Sequence, residues 1–88
     1  MTLRIEKVTD GQPNRIRLIG RVRAEHIDAL KQELGKPEEQ IVLDLEEVTL
    51  VDLEVVRFFN RCRACGVVLV NSSPYIQEWM RQEEREEI

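Results

Sequence analysis

An α/β domain with a small mixed sheet of four strands and about three helices, in the order β-β-α-β-α-β-α, is the fold class that this 88-residue sequence predicts. Three observations predict it. Leu3 and Ile5 alternate with Arg4 and Glu6, the period-two pattern of a half-buried strand. Ile41 to Leu45 and Val67 to Val70 are short runs rich in Val, Ile and Leu, as expected of strands covered on both faces in a parallel arrangement. Between these strands, apolar residues recur at helical spacing. A single domain, residues 1–88, accounts for the chain, with no repeat, linker or low-complexity segment.

The first strand runs from Leu3 to about Val8. Thr9 to Asn14, with Asp10-Gly11 and Pro13-Asn14, supplies residues that tolerate a left-handed or fixed backbone, so a β-hairpin is expected there. The second strand spans Arg15 to Ile19, and Gly20 is expected to end it where the chain changes direction. Ile27, Leu30 and Leu34 mark a first helix from Ala24 to Leu34, with Gly35 and Lys36-Pro37 as its stop. No Ser, Thr, Asp or Asn precedes Ala24 to cap it. The second helix follows the third strand; Val55, Phe58, Phe59, Cys62 and Cys65 form its apolar face, Glu54, Arg57 and Arg61 a polar stripe, and Gly66 its end. Ile41 to Val70 is therefore a strand, helix, strand crossover, right-handed by the rule for parallel connections. In Asn71-Ser72-Ser73-Pro74, Ser73 is the expected N-cap and Pro74 the first residue of a third helix. Ile76, Trp79 and Met80 supply its buried face, and Arg81 to Glu87 a solvated, fraying end.

A formal net charge of −4 argues against a nucleic-acid partner, which calls for a basic face and a domain pI above about 9. The longest unbroken apolar runs are 4 residues, against roughly 20 for a membrane span, so no direct membrane insertion is expected. The N-terminus lacks an apolar stretch followed by a small-residue cleavage site, and the expected compartment is the cytoplasm. Cys62 and Cys65 fit a reducing compartment. They form a C-x-x-C at the C-terminal end of a helix, where the dipole disfavours thiolate; a buried pair on the Phe59 face is expected, and a small thiol redox protein is the alternative. No cofactor or metal is expected. There is no G-x-x-x-x-G-K-[ST] loop, and zinc would want four ligands where the chain has His26 and one cysteine pair. His26 has no evident base or nucleophile partner, and Asp44 and Asp52 lack the acidic pair expected beside a receiver domain's phospho-accepting aspartate.

If the second, third and fourth strands run parallel, Gly20 and Arg21, Glu46 to Glu54, and Asn71 to Ser73 lie at their C-terminal ends, the edge where open α/β sheets bind. With Asp52 as N-cap, Glu54 is the second residue of its helix. A negative group there gains about 0.3–1 kcal/mol from the helix dipole at an exposed site. Two readings stay open: Glu54 serves only the helix start, or it also meets a partner together with Asp52, Leu53, Arg57, Phe58 and Arg61.

Residues 41–59, IVLDLEEVTLVDLEVVRFF, resemble the STAS domain, the sulfate-transporter and anti-sigma-factor-antagonist family. The likeness is to that family's V-x-L-D-L-s strand, short linker and Asp-Ser-Ser/Thr-Gly motif opening a helix. Residues 66–80, GVVLVNSSPYIQEWM, are similar to its later strand, polar corner and helix, and the likeness covers nearly the whole chain. Asp52 matches the family aspartate, whereas Leu53, Glu54 and Val55 replace the Ser, the phosphorylatable Ser/Thr and the Gly. Glu54 stands at the phosphorylation position without a hydroxyl, so the switch that the resemblance implies cannot operate there. A phosphoserine carries about −1.5 to −2 charge and three acceptor oxygens, so a glutamate mimics it only in part. The resemblance implies a non-enzymatic regulator whose partner is a protein, either a serine-kinase anti-sigma factor or a larger regulatory complex. The alternative is an accessory STAS subunit of a membrane transport system. Self-association as a homodimer through an apolar residue, Phe58 especially, is a further reading.

Overall fold

The computed structural model describes residues 3–8, 14–34 and 40–86. Four strands, β1 (Leu3–Val8), β2 (Asn14–Val22), β3 (Ile41–Val51) and β4 (Val68–Val70), lie in the order β1-β2-β3-β4. β1 is antiparallel to β2, while β2, β3 and β4 are parallel. A 3-10 turn (Ala24–His26) leads into α1 (Ile27–Leu34), and α2 (Leu53–Ala64) and α3 (Pro74–Glu86) complete the fold. The mixed four-stranded sheet and the element order are those the sequence predicts. The predicted hairpin turn before Asn14 and the helix stop at Gly35 to Pro37 lie outside the described residues. No described helix is long and apolar enough to cross a membrane.

Strand alternation sets Ile16 and Leu18 of β2 and Ile41, Leu43 and Leu45 of β3 on one face of the sheet. Leu30 of α1, Val55, Val56 and Phe59 of α2, and Ile76 and Met80 of α3 join them in a single core. Each such side chain, fully buried, contributes about 1.5–3 kcal/mol. All three helices feed this core, which leaves the second face of the sheet to charge. There Glu6 pairs with Arg4 at 3.0 Å and with Arg17 at 3.5 Å, Arg17 also meets Glu47, and Arg15 holds Asp44 at 2.8 Å.

Two strands outrun their predicted ends. Gly20, expected to end the second strand, lies inside β2 with φ 102°, beside a slip in the pairing with β3 between Gly20 and Arg21. A residue without Cβ adopts that backbone without strain, so the glycine lets the strand bulge and continue to Val22. β3 runs past Leu45 through Glu46 and Glu47 to Val51 because β2, its ladder partner, continues beside it.

The end of α3 is exposed at Arg81, Gln82, Glu84 and Arg85, as expected from its charge, and departs from that expectation at Glu83. Arg57 of α2 donates through Nε to Glu83 at 3.0 Å, and Arg63 donates to Glu84 at 2.8 Å. Glu83 is buried. Glu83 and Glu84, neighbours in α3, thus reach positions 57 and 63 of α2, about 9 Å apart along its axis at 1.5 Å per residue. This turn of α3 lies across α2. At the same crossing the buried Asn60 donates through Nδ2 to the Met80 carbonyl at 2.9 Å. The start of α3 follows the prediction: Ser73 Oγ accepts from the Ile76 N–H at 3.2 Å, with Pro74 first in the helix.

Candidate functional site

The C-terminal edge of the parallel strands brings together the ends of β2 and β3, the 3-10 turn and the start of α2. Asp52 organises it. Its backbone is extended (φ −110°, ψ 177°), and Oδ1 accepts from the Val55 N–H at 3.0 Å, the N-cap that the sequence predicts. Oδ2 accepts from the N–H of Ala24 at 2.8 Å. The cap missing in sequence before Ala24 is therefore supplied from across the sheet edge. His26 adds to the same turn, its Nδ1 accepting from the Arg23 N–H at 3.0 Å. Both oxygens of Asp52 accept hydrogen bonds within the chain, so Asp52 positions the site.

Asp52→Ala is expected to cost about 1–2 kcal/mol, the upper part of the range for a lost helix cap, because two orphan N–H groups lose their acceptor. Asp52→Ser is expected to regain the Val55 cap and recover part of that loss. Urea midpoints of the three chains check the order, and an alanine variant as stable as the parent removes the double role.

Glu54 is free of that duty. Its side chain is 56% exposed, and its ion contact is with Arg57 at 3.6 Å, one turn on. Leu50, at the end of β3, is 45% exposed and Leu53 is 37% exposed, so two apolar side chains stand out of the core beside Glu54 in the chain. Leu50 was not among the residues singled out by sequence; inside the run VTLV it reads as strand interior, and strand alternation turns it outward while its neighbour Val51 is buried.

The remaining predicted site residues divide. Arg61 is exposed on the stripe. Arg57 is half-buried and engaged by Glu83, so it braces α2 against α3. Phe58 is a correction: it is 4% exposed and belongs to the core, with its ring tilted 45° to that of Phe59 at 6.2 Å. The reason is that α2 is covered by the sheet on one side and crossed by α3 on another, so the buried arc is wider than one helical stripe. An interface through Phe58 is not available on this fold.

Asp44 and Asn71 form the second polar cluster of this edge. Asp44 is 4% exposed, and its carboxylate accepts from Arg15 Nη2 at 2.8 Å and Nε at 3.3 Å, from the Glu46 N–H at 3.0 Å and from Asn71 Nδ2 at 3.2 Å. Burial by itself pushes this carboxyl up. The hydrogen bonds from Arg15, Glu46 and Asn71, with the charge of Arg15, outweigh it and hold Asp44 below the usual carboxylate range. Asn71 reaches it from a left-handed backbone, φ 60°, which Asn tolerates better than most residues. The end of β4 is thereby fastened to β3 just before the cap of α3.

The cysteines do not form a buried pair. Cys62 is buried and Cys65 is exposed beyond the end of α2. Burial pushes the Cys62 thiol up to about 11, the neighbouring Cys65 adding to the shift and Arg61 and Lys31 opposing it. No group of three or more His, Cys, Asp or Glu among the described residues is placed to hold a metal ion. Compared with models of known families and with curated proteins, the chain matches none.

Proposed function

We propose that this chain is a non-enzymatic protein-interaction module of the STAS kind, a regulator similar to anti-sigma-factor antagonists that lacks the phosphorylation switch. Glu54, at the position of the phosphorylatable hydroxyl, gives the surface a permanent negative charge. The observation that carries the reading is the exposure of Glu54 together with that of Leu50 and Leu53, which precede it in the chain at the C-terminal edge of the sheet. An apolar pair beside a fixed charge offers a partner both a desolvated contact and an orienting one. Arg61 extends the same surface down α2, while Asp52 and Arg57 hold it in shape. The expected partner is a protein of the cytoplasm, either a serine-kinase-like anti-sigma factor or a larger regulatory complex.

The thiol reading is weaker. Cys62 is buried and its thiol is pushed up to about 11, so one of the two sulfurs carries almost no thiolate, the reactive form, at neutral pH.

The test is capture of the partner from the native cytosol on the immobilised chain, followed by affinity measurements. Glu54→Arg is expected to weaken binding tenfold or more, which is about 1.4 kcal/mol. Glu54→Ser and Glu54→Ala lose the charge alone and are expected to fall between. Thermal melts should show a loss of about 0.5–2 kcal/mol for Glu54→Arg, which gives up the helix-dipole and Arg57 contacts, and a smaller one for the neutral variants. Equal affinity for all four chains would sink the interface.

A further inference from the structure

We propose that Arg21, Arg23, Leu50 and Leu53, at the C-terminal edge of the sheet, bind a partner segment that carries carboxylates around an apolar side chain. The proposal rests on the reading of this edge as a protein-interaction surface and names the chemistry of what it meets. The pairing of β2 with β3 slips here: Gly20 stands opposite Val48 and Arg21 opposite Leu50, which leaves Thr49 as the extra residue of a bulge. In a regular strand Leu50 would share a face with Val48, which packs against the core. The extra residue resets the alternation. Leu50 and its ladder partner Arg21 are both exposed, whereas the next pair, Val22 and Val51, is buried. The bulge thus takes a leucine out of the core and sets it beside an arginine.

A hydrogen bond across the edge adds the other two residues. Asp52 Oδ2 accepts from the Ala24 N–H at 2.8 Å, which brings Arg23, just before Ala24, and Leu53, just after Asp52, to the same edge. Both are exposed.

Charge decides the occupant. Neither Arg21 nor Arg23 has an ion pair among the described residues. Glu47 pairs with Arg17 and Glu54 with Arg57, so neither acid supplies the missing counter-charge. A guanidinium takes a carboxylate through two parallel hydrogen bonds, and an apolar contact that excludes water beside it strengthens that pair. Two open guanidiniums beside two exposed leucines therefore fit an acidic segment with an apolar residue among its carboxylates. A basic segment would meet like charge, and an anion without apolar groups would leave Leu50 and Leu53 uncovered.

Amide spectra of the full chain, titrated with the capped peptide Glu-Leu-Glu-Glu-Leu-Glu, test it. The Arg21, Arg23, Leu50 and Leu53 amides are expected to shift together, with a dissociation constant of about 1 mM, the scale of a contact this small. The peptide Lys-Leu-Lys-Lys-Leu-Lys and the leucine-free Glu-Ser-Glu-Glu-Ser-Glu are expected to bind at least tenfold more weakly. Arg21→Glu and Leu50→Ser should each weaken the first peptide by a similar factor. No shift at these amides, or equal binding of the three peptides by the parent chain, overturns the proposal, and this comparison needs no variant to fold. Shifts at the same amides on raising the protein concentration without peptide would give the surface to a second copy and overturn it as well. Glu54→Arg is expected to bind the acidic peptide no more weakly than the parent, whereas it weakens the partner captured through Glu54. The two surfaces can thus fail separately.

Discussion

Phe59→Ala is expected to lower the unfolding free energy by about 3–5 kcal/mol, the cost of deleting a buried ring and leaving its cavity. Phe59 is the largest of the fully buried side chains, in the helix that the sheet and α3 both cover. At roughly 0.05–0.15 kcal/mol per residue, a chain of this length has about 4–13 kcal/mol in total. The alanine chain is therefore close to unfolding at room temperature, and its Tm should fall by well over ~12 °C at about 4–8 °C per kcal/mol. Phe59→Leu keeps most of the volume and should cost less than about 1.5 kcal/mol if the core repacks. Urea titration of both variants checks the difference. A loss below 1 kcal/mol for the alanine chain, on the order of an exposed substitution, would mean that α2 does not seal the core as described.

Acidification is expected to destabilise the fold through Asp44. Its folded pKa lies below the ordinary carboxylate value of 3.8, so between the folded and unfolded values the unfolded chain binds more protons. Stability from this group is fully present above the unfolded value and is lost as pH falls through the folded one. Urea midpoints from about pH 7 down to about pH 2 should thus be flat before dropping below about pH 4. Asp44→Ala removes the acceptor from the Glu46 N–H, Asn71 and Arg15, and should cost about 1–3 kcal/mol at neutral pH for the donors left unsatisfied. The gap between parent and variant should narrow in acid. Parallel curves over the whole range would show that the network contributes no pH-dependent stability.

Much of the fold was legible because its signals are local. The Leu3 and Ile5 alternation marks β1, the spacing of Ile27, Leu30 and Leu34 marks α1, and Ser73-Pro74 marks the start of α3. Strand ends were less legible. Gly20 reads as a terminator in sequence, and its role as a bulge depends on β3 continuing beside β2. The acidic Glu46 and Glu47 read as a corner, yet the ladder with β2 carries the strand through them.

The candidate site was legible in the same proportion. Asp52 as a cap and Glu54 as the exposed acid follow from a hydrogen bond and a dipole confined to one helical turn. Phe58 sits at the margin of the apolar stripe, and whether such a residue faces solvent depends on the path of α3. Glu83 looks like one charge in a charged tail until Arg57 is opposite it.

The sequence by itself determined the elements, the caps at Asp52 and Ser73 and the loss of a hydroxyl at Glu54, since each depends on residue types within a turn or two of one another. Tertiary structure alone decided that Asp52 also caps the turn at Ala24, that Arg57 braces two helices and that Glu83 is buried. These facts depend on where segments distant in the chain meet in space, and residue spacing along one element does not encode that meeting.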